Sequence, residues 1–216
     1  MIIDPATHFF ASLHAGASGT VVLYGTSLTQ GAAWAAALME WFAHTFAGRV
    51  AVHNCARGGE TSTWGCAQLA ETVLPLHPDL VLIEFSYNDA HLKFKLTPAQ
   101  SVAQLEQMVM ALRAQNPDCA IVVQLMNPPW DSPGRHAAAI ERPEITTFNE
   151  AWRDYAAHQR LPLIDHGPAW ARLRADPEAF ARAIPDGSHP KAEASLAHTW
   201  PTVRAWLDRA SLQSKS

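Results

Sequence analysis

With 216 residues, 48% of them hydrophobic, the chain is long enough to bury a substantial core in one α/β domain. Sixteen Lys and Arg against twenty Asp and Glu leave a net charge of −4 and no basic stripe, which argues against a nucleic-acid partner. Cys55, Cys66 and Cys119 are odd in number and lack CxxC spacing, so they fit reduced thiols better than a disulfide framework.

The chain opens Met1-Ile2-Ile3-Asp4-Pro5, with no charged stretch leading into an apolar run. A cytoplasmic location is therefore expected. Strands are expected over residues 20–24, 49–53, 80–85, 120–125 and 161–164, and the middle three are nearly continuous in aliphatic residues, as strands covered on both faces require. After the first strand, Trp34, Leu38, Trp41, Phe42 and Thr45 recur at helical spacing. The apolar run 32–43 in this helix is broken by Glu40 and is too short to span a bilayer. Thr97-Pro98-Ala99-Gln100 reads as a capping box with proline at the first helical position. The helix it opens should bury Val102, Leu105, Val109 and Leu112 and end at Asn116-Pro117. A second capping box is expected at Thr147-Phe148-Asn149-Glu150, and a last helix should carry Leu196, Trp200, Val203 and Leu207 on one stripe. The alternation predicts βα units on a parallel sheet, in one domain over residues 1–216 with its core at about 18–208. Eleven histidines make no HExxH or other familiar ligand spacing, and no metal is expected.

Residues 127–134 interrupt the pattern. Three prolines and a glycine directly after a strand predict neither helix nor strand. Ligands bind beyond the carboxyl ends of strands in a doubly wound sheet, so this loop either overhangs a site or is a rigid surface turn.

Three stretches far apart in the chain carry the chemistry. Gly25-Thr26-Ser27-Leu28 delivers a hydroxyl to the end of the first strand, where it is either a nucleophile or a helix cap. Asp186-Gly187-Ser188-His189 places an acid three residues before a histidine, close enough for a loop to fold the carboxylate onto the imidazole. The same residues also read as an Asp-Gly turn before a helix start at Pro190. Asp165-His166 is a competing pair, though adjacent side chains diverge. Ser86-Tyr87-Asn88-Asp89 follows the third strand and offers a side-chain amide. Together these supply the nucleophile, base, orienter and donor that acyl transfer needs.

The set resembles the SGNH/GDSL hydrolase family, over nearly the whole chain from about Val21 to the helix after Pro190. Gly25-Thr26-Ser27-Leu28 matches the family's Gly-Asp-Ser-Leu except that Thr26 replaces aspartate. Residues 54–61 resemble the second block, in which Gly59, with Gly58 as the alternative, would present a backbone N–H; Ala56 stands where glycine is common. Ser86-Tyr87-Asn88-Asp89 matches Gly-x-Asn-Asp with Ser86 for glycine, which would be strained if a positive φ were required. The resemblance implies an α/β/α sandwich of flavodoxin-like type with a five-stranded parallel sheet. It also implies an ester hydrolase with Ser27 as nucleophile, His189 and Asp186 as base and orienter, and an oxyanion hole of the Ser27 and Gly59 N–H groups and Asn88. No metal or organic cofactor is implied. Trp64, Tyr87, Phe94 and Trp130 lie near these motifs and could stack on a sugar or line an acyl pocket. With no long apolar channel evident, a short acyl group such as acetyl is expected, on a small-molecule or saccharide ester. An acyltransferase and a non-catalytic relative of the same fold are the other readings.

Overall fold

The computed structural model describes residues 4–132 and 136–214. Its strands are β1 (Gly19–Gly25), β2 (Val50–Asn54), β3 (Leu80–Glu84), β4 (Ala120–Leu125), a short antiparallel pair of β5 (Asp131–Ser132) and β6 (His136–Ala137), and β7 (Leu163–Asp165). The first four and β7 form one parallel sheet in the order β2-β1-β3-β4-β7. Each sheet strand lies within two residues of its expected position. The order reverses between β1 and β3, and that switch point opens a crevice beyond their carboxyl ends.

Ten α-helical segments are described: α1 (Pro5–His14), α2 (Ala33–Thr45), α3 (Ser62–Thr72), α4 (Ser86–Asp89), α5 (Pro98–Gln115), α6 (Ile145–His158), α7 (Gly167–Arg174), α8 (Pro177–Ala183), α9 (Ala192–Ala194) and α10 (Trp200–Gln213). Side chains alternate across each strand, so the two faces of the sheet build two cores. On one face Val21, Leu23, Leu80, Leu82 and Val122 pack against α1, α2 and α10. On the other, Val22, Tyr24, Val81, Ile83 and Val123 pack against α3, α5 and α6. The sandwich expected from the sequence is present.

Local departures have local causes. The capping box at Thr97 forms, with reciprocal bonds to Gln100. The one expected at Thr147 does not: the N-cap is Glu144, three residues earlier, which leaves Thr147 inside the first turn rather than at its cap. Between α9 and α10 the chain makes a π-turn, Ser195–Thr199, whose wider turn rotates the register. Leu196 is thereby thrown out to 43% exposure, and the buried stripe becomes Val203, Trp206, Leu207 and Ala210. The expectation that residues 127–134 hold no strand is also corrected, since Asp131–Ser132 pairs with His136–Ala137; Pro133 and Gly134 lie outside the described residues. Among the described residues no helix is long and apolar enough to cross a membrane.

Candidate active site

The turn after β1 carries Ser27. The Thr26 carbonyl accepts the N–H groups of Thr29 (3.1 Å) and Gln30 (2.9 Å), closing the chain on itself directly at the strand end. Ser27 caps no helix, because α2 begins only at Ala33 with Ala32 as its N-cap. Its Oγ instead lies 2.7 Å from His189 Nε2.

The segment bearing His189 is a folded-back loop. Asp186 Oδ1 accepts the backbone N–H groups of Ser188 (2.9 Å) and His189 (2.7 Å), and Oδ2 sits 2.6 Å from His189 Nδ1. Partial burial raises the Asp186 pKa, but the N–H bonds from His189 and Ser188 and the imidazole outweigh it, so the group stays below the usual carboxylate range. Three residues brace the loop from outside. Trp130 N–H reaches the Gly187 carbonyl (3.0 Å), Asn127 Nδ2 the Ser188 carbonyl (2.9 Å), and Tyr87 OH the Ser188 hydroxyl (2.9 Å). Gly187 has φ +82°, and a Cβ there would collide with the Trp130 carbonyl, so glycine is required.

The expected donors follow β2 and β3, at the same carboxyl edge of the sheet as Ser27. Gly59 adopts φ +78°, and its N–H makes no bond among the described residues. The alternative, Gly58, spends its N–H on Gln30 Oε1 at 2.7 Å, which favours Gly59. Asn88 lies in α4, and one Nδ2 hydrogen goes to the Glu60 carbonyl at 2.8 Å; an amide nitrogen has a second. Ser86 sits at the first position of α4 without a positive φ, so its replacement of glycine brings no strain. Its hydroxyl bonds Asn149 Oδ1 at 2.9 Å.

The competing pair does not assemble. Asp165 bonds Arg153 (2.8 Å) and the Gly167 N–H, while His166 is fully buried with its Nε2 2.8 Å from Gln124 Nε2. Burial pushes the His166 imidazole down to about 3. An unfolded chain would hold it near ~6.5, so the folded state binds fewer protons between those values. The stability this contributes is present above about pH 6.5 and lost as pH falls towards 3. His166→Gln, which keeps an acceptor for Gln124, should therefore flatten the acid side of the stability profile by up to about 1.4 kcal/mol per pH unit. Calorimetry from pH 7 to 4 checks this; parallel profiles for the two proteins would contradict it.

The four aromatic residues proposed as substrate contacts sit elsewhere than expected. Tyr87 is 2% exposed, its ring covered by the Arg142 guanidinium at 4.4 Å, and it presents no face to a ligand. Trp130 packs on Phe180 and supports the His189 loop. Trp64 packs beside the Tyr24–Phe85 pair, with Arg57 over its ring, and Phe94 lies against His91 and Lys93. None lines the cavity of about 330 Å³ that holds Ser27 and His189; its aromatic wall is Trp34. A larger cavity of about 470 Å³, bordered by Arg142, Arg153 and Arg174, shares only Met126 with it and contains neither Ser27 nor His189. The smaller one is therefore the candidate site. Sequence reasoning missed Asn127, which bonds the His189 loop, and Glu84, which bonds the Ser27 turn. For Glu84 the one available signal is an acid closing an otherwise aliphatic strand; Asn127, two residues beyond β4, carries none.

The contacts that join Ser27, His189 and Asp186 lie at the carboxyl edge of a five-stranded parallel sheet, an arrangement shared by serine hydrolases of several folds. Residues 23–195 match the GDSL-like Lipase/Acylhydrolase family, and the chain belongs to it. No curated protein matches the sequence. Among solved structures, the acetylxylan esterase Axe2 from Geobacillus stearothermophilus is similar at 16% identity and TM-score 0.73, covering 89% of this chain and 95% of that one. A lipase/acylhydrolase from Enterococcus faecalis is similar at 24% identity and TM-score 0.67, over 88% and 96%. A two-domain esterase active on acetylated mannans gives 20% and 0.75, over 97% of this chain but 54% of that one. At these identities the likeness carries the fold. Family membership makes the chain an ester hydrolase by class.

Proposed function

We propose that the protein hydrolyses short-chain esters, acetyl esters of small alcohols or saccharides foremost, through an acyl-enzyme on Ser27. His189 Nε2 accepts the Ser27 proton as Oγ attacks the ester carbonyl, then delivers it to the leaving alcohol. Asp186 fixes the imidazole with Nδ1–H towards itself and stabilises the imidazolium that forms. The N–H groups of Ser27 and Gly59 and the Asn88 amide receive the oxyanion. Water, activated by the same histidine, releases the acid. The observation that carries this reading is the pair of contacts at 2.7 and 2.6 Å joining Ser27, His189 and Asp186.

The cavity supports a short acyl group. Leu28, Trp34 and Met126 share its wall with the exposed Gln30, and a long acyl chain would desolvate that amide without repayment. Axe2 and the mannan-active esterase, as relatives in fold, support an acetylated saccharide as the alcohol partner. Turnover of p-nitrophenyl esters is expected to be highest for acetate and to fall steadily towards octanoate, with acetyl release from acetylated xylo- or manno-oligosaccharides. Rates that rise with acyl length would overturn the short-chain reading.

A further inference from the structure

Beneath the nucleophile lies a carboxylate that the proposed reaction does not use. Glu84 closes β3 and is 2% exposed, whereas the other four residues of that strand are apolar. In register it pairs with Gly25, immediately before the Ser27 turn. Among the described residues, every hydrogen bond its side chain accepts comes from that turn. Oε1 accepts Thr26 N–H at 2.6 Å and the Thr29 hydroxyl at 2.8 Å, and the Thr26 hydroxyl lies 3.0 and 3.2 Å from the two oxygens. The Thr26 hydroxyl in turn accepts Leu28 N–H at 3.2 Å. Ser27 is thus held on both sides, by Thr26 and by Leu28 and Thr29. Gly25 is shaped to the same carboxylate, since a Cβ there would collide with Glu84 Oε1.

We propose that Glu84 is a positioning residue, whose buried carboxylate fixes the turn that aims Ser27 Oγ at His189 and leaves the Ser27 N–H free. The proposal rests on Ser27 being the nucleophile. Among the described residues Glu84 has no cationic partner, so nothing but these N–H and O–H donors offsets its burial. Burial pushes the carboxyl up to about 7, against the lowering pull of the Thr26 N–H and the Thr29 and Thr26 hydroxyls. A group this costly to bury, on a strand otherwise aliphatic, does not serve packing. It also clarifies why threonine serves at position 26: an aspartate there would set two carboxylates against each other, whereas threonine donates.

A merely structural role and a positioning role separate in turnover counted per reactive site. Glu84→Gln, Thr26→Val and Thr26→Ser are compared with wild type, each titrated with a fluorophosphonate so that kcat refers to labelled sites only. Displacing a reacting atom by about an ångström costs roughly 10²-fold, so Glu84→Gln should lower per-site kcat by roughly 10- to 100-fold, and the labelling rate in parallel, with KM within about twofold. Thr26→Val should lose about tenfold, and Thr26→Ser, which keeps the donor, should stay near wild type. Wild-type per-site kcat in Glu84→Gln overturns the proposal. So does a loss of activity matched by loss of folded protein, with surviving sites turning over normally. If Glu84→Gln fails to fold, the Val and Ser variants at position 26 decide by the same readout: equal per-site rates overturn the proposal. Ser27→Ala is run alongside. An active Ser27→Ala removes the nucleophile assignment and this proposal with it, whereas an inactive Ser27→Ala beside an unimpaired Glu84→Gln removes this proposal alone.

Discussion

Ser27→Ala is expected to lower kcat by about 10⁴-fold or more, with His189→Ala costing a similar factor. The Ser27 hydroxyl is a weak nucleophile until a base takes its proton, and His189 Nε2 at 2.7 Å is the base in reach. Because the two act as one unit, the double variant should be little worse than either single one. Folding should be nearly untouched, since Ser27 caps no helix and, among the described residues, its hydroxyl bonds only His189. Steady-state kinetics and a melting curve on one preparation check both halves. Losses that multiply in the double variant would mean that the two residues contribute separately. A loss of activity from His166→Gln comparable to that from His189→Ala would move the base to the buried histidine.

The second large effect falls on Asn88. If its free amide hydrogen meets the oxyanion, Asn88→Ala should lower kcat by roughly 10²–10³, with KM little changed because the bond strengthens in the transition state. The other hydrogen serves the Glu60 carbonyl, so the same substitution should also cost about 1 kcal/mol of stability. In a chain of this size that is a fall of about 2–4 °C in Tm. The two readouts come apart cleanly. A folded Asn88→Ala enzyme with near wild-type kcat and a lowered Tm would leave Asn88 only its bond to Glu60.

The strands and the order of the catalytic motifs are legible in the sequence for a common reason. A parallel sheet covered on both faces demands unbroken aliphatic runs, and function sits where those runs stop. Val21-Val22-Leu23-Tyr24 therefore leads straight to Ser27, and Leu80-Val81-Leu82-Ile83 to Asn88. Asp186 and His189 are legible because the pairing is local, closed within three residues. What stays hidden depends on partners distant in the chain. Glu84 reads as one more strand residue until its bonds to Thr26 and Thr29, more than fifty positions away, are seen. Tyr87 adjoins Asn88 in sequence, yet its side chain is buried under Arg142 and bonds Ser188 in the His189 loop. α1 carries a readable signal, Asp4 at the N-cap and Pro5 at N1, that the strand-centred reading passes over. The shift of Leu196 to the surface comes from a π-turn, which leaves no mark in residue spacing.

The central claim is that Ser27 is the residue that becomes acylated. A fluorophosphonate probe, with digestion and mass spectrometry of the labelled protein, tests it most directly. One label per chain is predicted, on the peptide containing Ser27, absent from Ser27→Ala and slowed strongly in His189→Ala. Labelling that proceeds at the wild-type rate in Ser27→Ala, or that maps to another residue, would contradict the account.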